Sequence, residues 1–352
     1  MSQNMKTAKL GPQDNLTATI FSQYNKHNPP SHNESTRVKM GVILRSVANL
    51  DEFEGTFSAI VWQKLFWTDP RLAWNESNFD GIDVLRLPAS QLWIPDIVLY
   101  NSVAEWETLS PVHVLAYPDG IVYSIAPLSV KSSCEMNLAK YPYDVQNCTL
   151  VWGSWIHDES MISLQPFDPA LDLHDLVPNP RWEVVDTSVV RHVKKYNCCI
   201  ESFVDLSVSV ILRRRHPDSF IASSVIAAWM ILITFVIAPP SSGERIIFSA
   251  FIFISLIILS ISLSGSVPSY TSTSLGRFLV FGLMMTAMIT VLMAVSYGMF
   301  PRPELSIVKE GLQTTQDLLN ERRRRYFRLL DLGAMIVTVV LLSIMTGALF
   351  AS

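Results

Sequence analysis

Four cysteines carry the most readily placed chemistry in this chain of 352 residues. Cys134 and Cys148 bracket thirteen residues, with Tyr141, Pro142, Tyr143 and Asp144 in the middle of the interval. Joined by a disulfide, they would close a small rigid loop. A proline between two aromatic residues favours a cis peptide and a tight turn. A lone pair at this spacing also reads as a generic extracellular disulfide, and only the filled interior narrows it. Cys198 and Cys199 are adjacent. So few cysteines in such defined positions point to an oxidising compartment. Sequons at Asn15, Asn33, Asn75 and Asn147 agree, each a candidate glycan acceptor. His113, His157 and His192 show neither nucleophile nor metal-ligand spacing and read as structural or surface residues. Neither an enzyme, a metal site nor a cofactor is therefore expected. A net charge of -4 gives no basis for nucleic-acid binding.

The elements that must position these residues fall into two parts, and the length leaves room for two domains. Residues 1–35 are polar, with Pro29-Pro30, and read as a flexible segment or a short helix. Met1 to Asn15 holds no apolar h-region, so no signal peptide is read and a mature or engineered chain is expected. Across 36–215 short alternating runs recur, among them VKMGVILRSV, FSAIVWQKLFW, IVLYN, VHVLAY, IVYSIAPLSV, CTLVWGSW, WEVVDTSVVRHV and FVDLSVSVIL. Asp51-Glu52, Asp80-Gly81, Pro118-Asp119-Gly120 and Pro178-Asn179-Pro180 punctuate them. Many short strands without a helical period argue a β-sandwich, and an Ig-like adhesion module would give the same pattern.

Hydrophobic residues make up 49% of the chain, and the excess lies in its last third. After Arg213-Arg214-Arg215 four apolar runs follow, and helices are expected at about 219–238, 245–265, 275–300 and 327–350. These lengths suit membrane spans. The segment 301–326 carries Arg302, Lys309 and Arg322 to Arg325, whereas SGSVPSYTSTS between the second and third runs carries no charge. Basic loops stay inside. That orientation puts the sandwich and the C-terminus outside a plasma membrane. The inner segment reads as helical around LQTTQDLLNERRRR, and a designed truncation there would look the same.

The Cys134–Cys148 spacing with its Tyr-Pro-Tyr-Asp interior resembles the signature of the Cys-loop receptors, the pentameric ligand-gated ion channels. Over about Val38 to Phe350 the chain is similar to nicotinic acetylcholine receptor α subunits, among them those of invertebrates. WIPDIVLYN resembles the first agonist-binding loop of that group and offers Tyr100. GSWIHD resembles the second and offers Trp155; YNCC resembles the third and offers Tyr196, Cys198 and Cys199, with Phe203 just beyond. VWQKLFWTD resembles the complementary-face strand and offers Trp62. The resemblance implies a bond between Cys198 and Cys199 that stiffens a hairpin tip; free thiols or a metal site would lack partner ligands nearby. Electron-rich ring faces attract an alkylammonium group, at roughly 0.5–2 kcal/mol per contact. Each ring alone reads equally as core packing, and Trp67, Trp74 and Trp93 are assigned to the core. Phe203 stands where the group usually has Tyr, and His157 where Tyr is usual.

The second apolar run begins Ser242-Gly243-Glu244-Arg245. In the cation-conducting branch a Gly-Glu-Lys motif stands here, and its Glu rings the cytoplasmic mouth. Helical spacing from Glu244 gives a pore face of Ile247, Phe251, Ile254, Ile258 and Ser262, with Gly265 at the outer end. The family usually has small or hydroxylated residues at the first two positions. Five copies of this face would line a narrow apolar tube, and such constrictions dewet. The proline usual in the first membrane helix is missing, and Ser224 lies near its place. The loop tip is expected to meet the turn around Pro268, and Asp51-Glu52 to approach the arginines at 213–215. The implied whole is a β-sandwich extracellular domain followed by a four-helix transmembrane bundle, assembled as a pentamer in membrane lipid. The implied function is a cation-selective channel opened by a cationic amine such as acetylcholine at subunit interfaces. It is expected as a homopentamer, with other subunits as an alternative. A rival reading is a binding or accessory subunit with a non-conducting or very low-conductance pore.

Overall fold

The computed structural model describes residues 11–31, 34–197, 199–215, 220–237, 242–299 and 315–351. They form two compact units, one of residues 1–136 with 145–215, the other of 137–144 with 216–352.

The first unit opens with helix α1 (Pro12–Phe21), which starts on Pro12 and buries Leu16 and Ile20. A proline in the first turn loses no hydrogen bond there and is preset for helical φ. Eleven strands follow: β1 (Thr36–Asp51), β2 (Thr56–Thr68), β3 (Leu85–Pro88), β4 (Ile97–Leu99), β5 (Glu107–Thr108), β6 (His113–Ala116), β7 (Ile121–Ser133), β8 (Val145–Ser154), β9 (Ile162–Asp172), β10 (Trp182–Lys195) and β11 (Ser202–Arg214). One sheet runs β3-β6-β7-β2-β1-β9 with β5 beside β7; the other runs β10-β11-β8-β4. Pairing is antiparallel except between β1 and β9. Alternation buries one face of each strand, and the two inner faces share a core with Phe57, Trp67, Leu150 and Trp152. Trp67 and Trp93 meet edge to face there at 6.2 Å, while Trp74 is half-buried and donates from its indole to the Ile82 carbonyl at 2.9 Å.

Strand β9 was absent from the expected strands because Pro166 and Pro169 interrupt its pattern. It lies at a sheet edge, where proline costs no ladder hydrogen bond on its open side. The turn at Pro118-Asp119-Gly120 is real: Gly120 has φ 80° and a Cβ there would lie 2.7 Å from the Asp69 carbonyl oxygen.

The disulfide between Cys134 and Cys148 is formed, and the Tyr141-Pro142 peptide is cis. The expected approach of Glu52 to the terminal arginines is also found. Arg214 Nη2 bonds Glu52 Oε1 at 2.8 Å, and its guanidinium lies 4.4 Å from the centre of the Trp182 ring. Arg213 pairs instead with Glu183 at 2.8 Å.

In the second unit the first span consists of α2 (Phe220–Trp229) and α3 (Ile233–Ile237), joined by a 3-10 turn over Met230–Leu232. Then come α4 (Glu244–Ser264), α5 (Ser274–Met299) and α6 (Thr315–Ala351). Among the described residues four segments are long and apolar enough to cross a membrane: Phe220–Ile237, Glu244–Ser264, Ser274–Met299 and Glu321–Ala351. Helix α6 therefore starts well before position 327 and takes in the arginine run. Residues 137–144 pack in this unit: Tyr141 lies in its apolar core, and Ser274 N–H donates to the Ala139 carbonyl at 3.0 Å.

Glu52→Gln removes a carboxylate partner from the buried Arg214 guanidinium. It should cost about 3 kcal/mol in denaturant unfolding of the purified chain, and adding Arg214→Met should recover part of that loss.

Candidate functional site

Four of the five rings singled out above gather at one end of the four-stranded sheet. Tyr100 follows β4 and meets Trp155 edge to face at 6.3 Å. Tyr196 and Phe203 flank the β10–β11 tip and meet edge to face at 5.9 Å. The ladder pairs Gly153 with Asp205, so antiparallel continuation brings Trp155 opposite Phe203. Trp155 is 70% exposed and Tyr196 42% exposed. Large aromatic faces left open to solvent at this density ask for an occupant. Cys199 is disulfide-bonded; Cys198 lies outside the described residues. Trp62 lies on β2 in the other sheet, where the Arg45 guanidinium stacks 4.5 Å from its ring centre. Among the described residues no ring contact joins Trp62 to the other four.

Three groups that sequence reasoning had not assigned hold these rings in place. Asp96 is the hub under Trp155. It accepts from Ser154 Oγ and from the Ile156 N–H, each at 2.7 Å, and its Oδ1 meets His157 Nδ1 at 2.7 Å. Gly153 makes room for Tyr100, since a Cβ there would lie 2.5 Å from the phenol. Asp205, almost fully buried, is faced by Lys194 Nζ at 2.6 Å and His192 Nδ1 at 2.9 Å across the β10–β11 ladder. A glycine two residues before an exposed tryptophan on a strand was the available signal for the first close approach. The carboxylates carried no such signal.

Tyr100 donates its hydroxyl proton to the Ser154 carbonyl. Burial pushes its phenol up to about 12, with Tyr196, Asp205 and Asp96 adding to the effect. The ring is therefore neutral at physiological pH and keeps both its donor and its electron-rich face. This end of the sheet thus presents aromatic faces with carboxylates behind them, a setting suited to a cation rather than to covalent chemistry. Among the described residues no cluster of His, Cys, Asp and Glu could hold a metal ion.

In the second unit the residues named for the pore face lie on one exposed side of α4. Glu244, Ile247, Phe251, Ile254, Ile258 and Ser262 are all exposed, whereas Arg245, Ser249, Ile252, Leu256 and Ser260 are buried on the other side. Ser224, at the place of the missing proline, is fully buried. Of the sequons, Asn15, Asn75 and Asn147 are exposed, and Asn33 lies outside the described residues.

A family model described as neurotransmitter-gated ion-channel ligand binding domain matches residues 13–216. The chain is 32% identical over 263 residues to neuronal acetylcholine receptor subunit alpha-6 of Rattus norvegicus, covering 73% of this chain and 53% of that one. It is 31% identical over 263 residues to the Homo sapiens alpha-6 subunit, with the same coverage. It is 29% identical over 277 residues to the alpha-3 subunit of Carassius auratus, covering 76% of this chain and 54% of that one. The chain spans about half the length of the curated relatives it matches.

The raised Tyr100 value fixes a sign. The folded state holds that proton more tightly than the unfolded state, so the associated stability is complete below pH 10 and lost as pH rises toward about 12. Alkaline titration of the folded chain, followed by tyrosinate absorbance, should show a late-ionising phenol that Tyr100→Phe removes.

Proposed function

Because the chain belongs to the neurotransmitter-gated ion channels, we propose that it forms a cation-selective channel opened by a small cationic amine such as acetylcholine. The observation that carries this reading is the gathering of Tyr100, Trp155, Tyr196 and Phe203 at one sheet end, with Trp155 and Tyr196 open to solvent. An ammonium group placed among these rings is held by several desolvated cation–π contacts at once. Phe203 offers a face without a hydroxyl, so it contributes attraction without a hydrogen bond. The disulfide at Cys199 stiffens the hairpin tip that closes over the ligand.

Trp62 stands on the other sheet, so one chain carries both halves of a composite box. The box is completed when the Trp62 face of one copy meets the four-ring face of the next. That arrangement suits a closed ring of copies, here a homopentamer, with mixed assembly alongside other subunits as the alternative. Agonist bound between copies favours the hairpin-closed state, and its differential affinity for that state biases the pore equilibrium.

The sandwich stands outside the plasma membrane, where Asn15, Asn75 and Asn147 are available to glycosylation. Four crossings return the C-terminus to the outside and put the start of α4 and the arginines of α6 on the cytoplasmic side. Copies of α4 line the pore, with Glu244 forming an anionic ring that favours cations. Ile247, Phe251, Ile254 and Ile258 form the hydrophobic constriction that closes it.

Voltage clamp of cells expressing this chain tests the reading, with acetylcholine and other cationic amines applied. A current reversing as a cation conductance is expected. Trp155→Ala and Tyr196→Ala should each raise the half-effective concentration by about 2- to 30-fold, the loss of one cation–π contact. Surface-expressed chain that stays silent both as such and with Ile247→Ser and Phe251→Thr would overturn amine gating by this chain alone. Current only in that double variant would locate the block in the pore.

A further inference from the structure

A cavity of about 680 Å³ opens on the seven-stranded sheet of the sandwich unit and shares no residue with the four-ring cluster. Four rings of its own line it. Phe66 on β2 pairs in register with Tyr123 on β7, and their rings meet edge to face at 6.4 Å. Phe167 on β9 lies 6.5 Å from Phe66, and Tyr117, just past β6, is 36% exposed. Lys64 Nζ, with Asp172 3.8 Å away, already lies 5.1 Å from the centre of the Phe167 ring. A ring of this cavity therefore draws an ammonium group from within the chain itself.

Three carboxylates line the same cavity, Glu76, Asp83 and Asp119. All are exposed, and among the described residues none of them is in an ion pair. The backbone fixes where they stand. Asp80 and Gly81 are left-handed, with φ 53° and 75°, and turn the chain back so that the Gly81 N–H donates to the Glu76 carbonyl at 3.0 Å. Glu76 and Asp83 are thereby brought to one wall. Asp119 Oδ1 accepts from the Ile121 N–H at 3.1 Å, and the Trp74 N–H donates to the Pro118 carbonyl at 3.0 Å, tying the two loops together. Like charges without a counter-ion repel one another and attract a cation. Yet among the described residues no group of His, Cys, Asp and Glu could hold a metal ion. The three charges are spread around the rings rather than gathered at a point, which suits a ligand whose positive charges are spread along a chain.

We propose that this cavity binds an aliphatic polyamine, a flexible chain carrying two or more ammonium groups. Its methylene segments cover the ring faces, and its ammonium groups are drawn to the rings while donating N–H bonds to Glu76, Asp83 and Asp119. A quaternary ammonium has no N–H to give the carboxylates, and a divalent metal ion would leave the rings without a partner. The site lies within the sandwich of one chain and depends neither on the agonist box nor on the pore.

The test is calorimetric titration of the purified full chain in nanodiscs with spermidine at low ionic strength. It needs no current, so its failure is separable from failure of the gating reading. The four-ring cluster also attracts cations, so Trp155→Ala is titrated beside the parent, and spermidine should bind both alike. Glu76→Gln, Asp83→Asn and Asp119→Asn should each weaken binding by about 1.5- to 5-fold, the worth of an exposed ion pair. Asparagine at 119 keeps the acceptor that holds the Ile121 N–H. Phe167→Leu should weaken binding by about 2- to 5-fold without altering charge. Unaltered elution on size exclusion confirms that the variants are folded, and Tyr117→Leu, at a more exposed ring, replaces Phe167→Leu if that variant fails this check. Binding that disappears in Trp155→Ala, that ignores the carboxylate changes, that ignores the ring change, or that magnesium displaces at equal concentration would overturn the proposal. So would a parent chain that binds no spermidine, the result expected if a second copy covers the cavity.

Discussion

One closed loop divides its residues between the two units, and much else follows from that constraint. Cys134 and Cys148 are buried in the sandwich core with their Cα atoms 5.1 Å apart. Of the residues between them, 137–144 pack within the membrane unit, where Tyr141 is enclosed by apolar side chains. Left open, a segment of this length would be costly to order, and closing about fifteen residues contributes about 3 kcal/mol. The loop's polar backbone is satisfied within the membrane unit. The carbonyls of Ala139 and Tyr141 accept from Ser274 and Leu275 at the start of α5, N–H groups that a helix leaves free in its first turn. A loop able to leave that position would expose both the helix start and the tyrosine.

The aromatic cluster depends on a similar economy. None of its four rings is held by a partner ring alone. Tyr100 is wedged against Gly153 and tied to the Ser154 carbonyl; the Trp155 backbone is fixed because its neighbours on both sides bond Asp96. The carboxylates do their work from behind, organising backbone and side-chain donors, so the ring faces remain free. Asp205 plays the same part for the hairpin, opposing Lys194 and His192 across one ladder. A site built in this way can attract a cation without presenting it a bare carboxylate, which water would otherwise solvate.

How much of this was legible depended on whether a residue's role showed in a period. The two-residue alternation of β1, β2, β7, β8 and β11 gave the sandwich, and uninterrupted apolar runs gave the four spans. Strand β9 was hidden because Pro166 and Pro169 break the alternation. The start of α6 lay further upstream than the hydrophobicity implied, since the arginine run continues the helix without adding apolar surface. The outward stripe of α4 could be counted from Glu244, as its spacing is helical. Asp96 and Asp205 could not be singled out, because a carboxylate that organises its neighbours looks in sequence like one that is merely solvated.

Arg245 shows the limit most clearly. In sequence it follows Glu244, where the cation-conducting branch has lysine, and its spacing assigns it no role. In the fold it faces away from Glu244 and is buried on the inner side of α4. Its fixed fork lets Nε serve Thr234 on α3 while Nη1 serves Asp331 on α6, both at 2.7 Å. A lysine, a point charge on a flexible stem, has no such pair of diverging, pre-aligned donors. One side chain thus joins three helices. Burying a charge pair in an apolar bundle gains little net stability, because desolvation offsets the attraction. What the pair secures is registry: α6 has no other carboxylate between Arg322 and Ala351, so Asp331 alone can meet the arginine and fix how far α6 slides along α4.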